Sequence, residues 1–137
     1  MKDYVLDSNA LYRFLTGGPG ADIVEGLMEQ ATREGGNLRM AAINWGEVYY
    51  AVARRSGYRA ADDAGRQLEE VPVLIVDSDR GQAEAAGRIK AGYGLPYADC
   101  FAAALAGKTG ILLTADVKDF KKVPWLKTLA LPVARPS

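Results

Sequence analysis

Short apolar runs alternate with longer stretches of mixed polarity along most of the chain. Tyr4–Leu6, Leu38–Ala41, Val73–Val76 and Ile111–Leu113 are brief and mainly apolar, which suits strands buried on both faces. Leu129–Val133 fits the same pattern and makes a fifth. The segments between them carry helical spacing: Asn9–Leu15, Asp22–Arg33, Trp45–Arg55, Arg59–Leu68, Asp79–Lys90 and Pro96–Ala106. In the third of these, Trp45, Val48, Tyr49 and Val52 fall on one face. In the last, Ala98, Ala102, Leu105 and Ala106 form a narrow stripe of small side chains, suited to close packing on a sheet. Pro96 stands well as a first helical residue, where its missing N–H has no partner to lose. Gly17-Gly18-Pro19-Gly20 separates the first two helices, and the stretch from Gly92 to Pro96 precedes the last. Strands alternating with helices predict an α/β fold: a central, mostly parallel, twisted sheet flanked by helices in three layers.

Length and composition narrow this further. A chain of 137 residues fits a single domain, 1–137, and a hydrophobic fraction of 49% supplies a compact core. Formal net charge is zero, which argues against a protein that holds nucleic acid by bulk electrostatics alone. The charge is nevertheless uneven. From Cys100 onward there are six Lys or Arg against two Asp or Glu, with Lys118, Lys121 and Lys122 crowded together. One cysteine rules out an intramolecular disulfide framework. The N-terminus lacks the apolar core of a signal peptide and no segment is long enough to span a bilayer, so a cytoplasmic protein is expected. There is no histidine. That excludes a Ser-His-Asp triad, a Cys-His pair, a histidine base and the His-containing zinc sites. Chemistry must come from carboxylates, hydroxyls, lysines or a metal.

Four carboxylates stand where such chemistry would need them. Asp7 follows directly on Tyr4–Leu6, and Asp116 comes just after Ile111–Leu113. In an open parallel sheet the ligand site lies beyond the carboxyl ends of the strands, so both aspartates point to one rim. Glu47 and Asp99 fall in the first turns of two predicted helices that begin at that rim. Like charges at close range raise each other's pKa unless a cation compensates them. A hard divalent ion with oxygen ligands, Mg²⁺ or Mn²⁺, is the natural partner and needs no histidine to support phosphodiester hydrolysis. Each residue also has a structural explanation. Asp7 suits the cap of the helix near Asn9, Asn44 and Glu47 have the spacing of a capping box, Asp99 complements a helix dipole, and Asp116 suits a turn.

The stretches carrying these residues are Val5-Leu6-Asp7-Ser8-Asn9-Ala10-Leu11, Asn44-Trp45-Gly46-Glu47-Val48-Tyr49-Tyr50, the run Leu95-Pro96-Tyr97-Ala98-Asp99-Cys100-Phe101 through Ala106, and Leu112-Leu113-Thr114-Ala115-Asp116-Val117-Lys118-Asp119-Phe120. In this order and spacing they resemble the PIN-domain family, specifically its VapC-like toxins. The resemblance runs from the first strand to Phe120. It implies an RNA-cleaving nuclease using Mg²⁺ or Mn²⁺, with Asp7, Glu47, Asp99 and Asp116 as the acidic quartet. Asp7 and Asp99 are then direct metal ligands, Asp116 a ligand through water or to a second metal, and Glu47 the group orienting the attacking water. Ser8 and Thr114 match supporting hydroxyl positions, and Asp119 is a weaker candidate for the last acidic place. Arg13, Lys118, Lys121 and Lys122 are candidate RNA phosphate contacts, although lysine runs are as often a solvated face. Asp77 and Asp79 follow a strand that the implied fold places toward the sheet edge, so they read as helix caps. Cys100 reads as a small core residue.

The resemblance also implies a homodimer and a VapB-like antitoxin. A guanidinium is well suited to block clustered carboxylates, so the antitoxin is expected to lay an amphipathic segment in a groove and carry an Arg into the site. Tyr49 and Tyr50, with Tyr12 and Phe14, are candidate walls of that groove. Two rival readings stand beside this one. A phosphatase or phosphotransferase with an aspartyl nucleophile would also use Asp7, but its dehalogenase-like pattern needs a second Asp where Asn9 stands. A PIN-like module that only binds a partner would be expected to have lost members of the quartet, and all four are present.

Overall fold

Val5 and Leu6 are neighbours in the chain, both fully buried, and they serve opposite cores. They belong to β1 (Tyr4–Leu6), whose side chains alternate between the two faces of a sheet. Leu112 and Leu113 repeat the arrangement in β4 (Ile111–Thr114), which lies beside β1. A sheet whose central strands are buried on both faces needs helices above and below it. In the computed structural model, which describes residues 1–132, those helices are present on both sides.

The sheet has five strands, all parallel, in the order β3-β2-β1-β4-β5, where β2 is Leu38–Ala41, β3 is Val73–Val76 and β5 is Lys127–Ala130. One face is covered by α1 (Ser8–Thr16), α2 (Ala21–Glu34), α3 (Ala42–Ser56) and α4 (Tyr58–Glu69), which pack Leu11, Met28, Val48 and Leu68 against Leu6, Met40 and Leu113. The other face is covered by α5 (Arg80–Tyr93) and α6 (Tyr97–Ala106). The small side chains of α6 let it lie close on the sheet: Cys100, Ala102, Ala103 and Ala106 are all buried there. On this face β2 presents Arg39, which donates Nε and Nη2 to the Asp3 carboxylate at 2.9 and 2.6 Å and Nη2 also to the Leu105 carbonyl at 3.1 Å. The bidentate pair ties the start of β1 to the last turn of α6, where a cation is favoured.

Three expectations need correction. The third helix begins at Ala42, not Trp45, and Ala41 caps it with no side-chain hydrogen bond. The Ile43 N–H is instead satisfied by Ser78 Oγ at 3.1 Å, a donor–acceptor match supplied by the segment after β3. Asn44 is therefore inside the helix, and the capping-box reading of Asn44 and Glu47 fails. The fifth strand runs Lys127–Ala130 rather than Leu129–Val133, since pairing with Ile111–Thr114 sets its register; Val133 lies outside the described residues. A short helix, α7 (Val117–Phe120), follows Asp116 where only a turn was expected.

The order of strands places the switch in chain direction at the centre. From β1 the chain builds outward through β2 and β3 to one edge, then returns to add β4 and β5 on the other side. The crevice beyond the carboxyl ends of β1 and β4 is where such sheets hold ligands.

Candidate active site

Asp7 and Asp116 both follow strands that end at this crevice, β1 and β4. Asp7 is only 5% exposed, and its Oδ1 accepts from the Ala10 N–H at 2.8 Å as the cap of α1. Its structural and functional readings are thus compatible, because one oxygen caps the helix and a carboxylate has further lone pairs to offer. Thr114, fully buried at the end of β4, accepts from the Asp116 N–H through Oγ1 at 2.9 Å and hydrogen-bonds the Asp7 carboxylate. One side chain at the end of β4 thus neighbours both aspartates.

Asp99 enters from the first turn of α6, as expected. Glu47 comes from the second turn of α3, not the first, because the helix starts earlier. Its Oε1 accepts from Asn44 Nδ2 at 3.0 Å, and the same amide donates to the Ala98 carbonyl, also at 3.0 Å. Asn44 thereby joins α3 to the residue preceding Asp99. Its type and position were visible in the sequence, but only as a cap.

The electrostatics show how near these groups lie to one another. Burial pushes the Asp7 carboxyl up to about 6; hydrogen bonds from Thr114 and Ala10 oppose the rise, while the charges of Asp99 and Glu47 add to it. Asp99 is also pushed up to about 6, by burial first and then by Glu47, Asp116 and Asp119. Partial desolvation and then the Asp119 carboxyl raise Asp116, while the Asp119 N–H, accepted at 3.4 Å, opposes the rise. Asp119, the weaker candidate, therefore belongs to the neighbourhood of the cluster rather than outside it. No Lys or Arg is ion-paired to Asp7, Glu47, Asp99 or Asp116 among the described residues.

Such a site fits a hard cation by donor type and by charge, since only oxygen ligands are offered and, among the described residues, no Lys or Arg is ion-paired to them. Among the described residues no three carboxylates are drawn close enough to enclose an ion by themselves.

The remaining candidates divide. Ser8, the first residue of α1, lines a cleft of about 210 Å³ with Asn9, Tyr12, Glu47 and Tyr50. Lys118, Lys121 and Lys122 are exposed, and the charge of Lys118 reaches Asp116. Arg13 has another occupation: its Nη1 donates to the carbonyls of Pro19, at 3.0 Å, and Pro132, fastening the α1–α2 turn to the segment after β5. An RNA phosphate would have to compete with two backbone acceptors for it. Asp79 caps α5 by accepting from the Gln82 N–H at 2.9 Å, as read from the sequence. Cys100 is fully buried. Of the expected groove walls, Tyr12 and Tyr50 line the cleft beside Glu47, while Phe14 lines a separate hollow with Met28 and Val71.

A wholly parallel α/β sheet with clustered acids at its switch point defines a class of acidic-site α/β proteins. The PIN domain family model matches residues 4–126, and the chain belongs to that family. It is 31% identical over 115 residues to a Ribonuclease VapC of Mycolicibacterium smegmatis, a match covering 77% of this chain and 84% of the relative. Among solved structures, the fold is similar to that of a DNA-bound VapBC from Salmonella typhimurium, with a TM-score of 0.77 at 16% identity over 95% of this chain and 98% of that one. It is also similar to a toxin–antitoxin complex from Klebsiella pneumoniae, with a TM-score of 0.66 at 20% identity over 93% and 97% of the two chains. At these identities the structures speak for the fold alone.

Proposed function

We propose that residues 1–137 form one nuclease domain that hydrolyses RNA with Mg²⁺ or Mn²⁺ and acts in the cytoplasm as the toxin of a toxin–antitoxin pair. The observation that carries this reading is the set of four acids, delivered by β1, α3, α6 and the end of β4 to one crevice with no ion-paired cation among them. The relative named Ribonuclease VapC and the VapBC structures support the substrate class and the partner.

In this reading Asp7 and Asp99 hold the ion directly, and Asp116 assists through water or a second ion. When bound, such an ion supplies Lewis acidity to the scissile phosphate and to the attacking water. The chain's own residues do the rest. Thr114 fixes the Asp7 carboxylate, Asp7 Oδ1 stays on the Ala10 N–H, and Glu47 orients and accepts a proton from the water. Incubating the purified protein with single-stranded RNA and either metal, then sequencing the ends, should show discrete cleavage sites. An inert protein under both metals would overturn the nuclease reading.

The lysines after Asp116 guide the RNA backbone. Replacing Lys118, Lys121 and Lys122 together by Gln should weaken RNA binding and flatten its salt dependence by roughly 0.7 in slope for each lost single-strand phosphate contact. An unchanged slope in a binding titration would leave them as a solvated face.

A VapB-like antitoxin and a homodimer complete the proposal. The cleft between α1 and α3 opens beside Glu47 and is of mixed character, with Tyr12, Val48, Tyr50 and Ala51 on its apolar side and Ser8, Asn9 and the acidic Glu47 on its polar side. An amphipathic segment carrying an Arg fits that combination.

A further inference from the structure

Among the described residues, Asn44 is the one buried side chain with a polar atom left without a hydrogen-bond partner. It is 1% exposed, and both protons of its amide are committed, to Glu47 Oε1 and to the Ala98 carbonyl. Both partners are acceptors, so the NH₂ group must face them and the orientation of the amide is settled. The cost falls on the other end. Asn44 Oδ1 is buried with no donor among the described residues. What the buried side chain does make is a pair of donated bonds, and a leucine of similar shape would lose both while keeping the packing.

The geometry supplies the function. Glu47 sits on α3 and Asp99 on α6, and the two helices cover opposite faces of the sheet. Asn44 spans the gap, gripping the Glu47 carboxylate three residues along its own helix and the backbone one residue before Asp99. A glutamate side chain has three rotatable bonds and would otherwise wander. Asp in this place would repel Glu47, and Ser would reach only one partner.

We infer that Asn44 is a positioning residue, a strut that holds the Glu47 carboxylate in register with the first turn of α6 during RNA hydrolysis. This rests on the nuclease reading above. It acts through Glu47 and touches no reacting atom.

The test is a double-mutant cycle in single-turnover RNA cleavage, where excess enzyme keeps small rates measurable. Asn44→Leu should lower the cleavage rate at least tenfold and leave the RNA concentration for half-maximal rate within twofold, in protein whose melting curve shows it fully folded at the assay temperature. In a Glu47→Ala background, where the strut has nothing to hold, Asn44→Leu should change the rate less than twofold. An equal loss in both backgrounds would overturn the inference, as would full activity of Asn44→Leu or a loss that only tracks a lower melting temperature. Should the wild-type protein cleave no RNA at all, the nuclease reading fails and takes this inference with it. Failure of the Asn44 arm alone leaves that reading intact.

Discussion

Asp7→Asn should abolish RNA cleavage and, at pH 7 without divalent ions, make the protein more stable. Asparagine keeps the shape of the side chain and caps helices as well as aspartate, so the bond to the Ala10 N–H survives. What disappears is a charge held in a place that disfavours it. The Asp7 carboxyl rises from 3.8 to about 6 on folding, chiefly through burial. A rise of about two units corresponds to a penalty of up to about 3 kcal/mol once the group is ionised. The sign follows from proton uptake. Between pH 4 and 6 the folded state holds a proton that the unfolded state has released, so stability falls as pH rises through that window. The penalty is complete above pH 6 and vanishes below pH 4. Melting curves in EDTA should therefore show Asp7→Asn and wild type converging near pH 4 and diverging toward pH 7, with a gain on the order of 3–10 °C. A variant that is less stable at pH 7, or that differs equally at every pH, would refute this account of the site. A variant that still cleaves RNA would refute the assignment of Asp7.

Chelation is the second large effect. EDTA should remove cleavage entirely, and Mg²⁺ or Mn²⁺ in excess should restore it. The chain has no histidine, and the site has no ion-paired Lys or Arg among the described residues to offset the developing charge on phosphate. The same ions should raise the melting temperature, because a ligand that binds only the folded state stabilises it by about 2.7 kcal/mol at a hundred times its Kd. Asp99→Asn should blunt both responses while leaving the fold intact, since burial and the charges of Glu47, Asp116 and Asp119 disfavour its carboxylate until a cation arrives. Undiminished cleavage in EDTA would sink the metal requirement. A melting temperature indifferent to Mg²⁺, with cleavage intact, would show that the ion arrives only with the RNA.

The pairing of loss and gain explains which parts of the molecule could be read from its residues. Unbroken apolar runs announce themselves, and β1, β2 and the edge strand β3 have the bounds their runs suggest. The other edge strand, β5, has no such run: its exposed Lys127 and Leu129 obey the register of β4 rather than a hydrophobic pattern. The start of α3 was hidden for a different reason. Its first turn is satisfied by Ser78, more than thirty residues away in sequence, while the nearby Asn44 imitates a cap it does not provide. Asp7, Asp99 and Asp116 were legible because strand ends and helix starts meet at one rim. The engagement of Arg13 with Pro19 and Pro132 was not, since a guanidinium near an acidic site looks the same in sequence whether it faces RNA or its own backbone.

The central place of β1 has a consequence for how the protein is made. Its pairing partner β4 leaves the ribosome long after it: Tyr4 waits for Ile111. Roughly 100 residues separate them, so at roughly 5–20 residues per second the nascent chain carries an incomplete sheet for about 5–20 s. Throughout that interval Asp7 has neither Thr114 beside it nor Asp116 across from it, and the rim does not exist. Until β4 emerges, the two strand ends that carry these aspartates cannot come together.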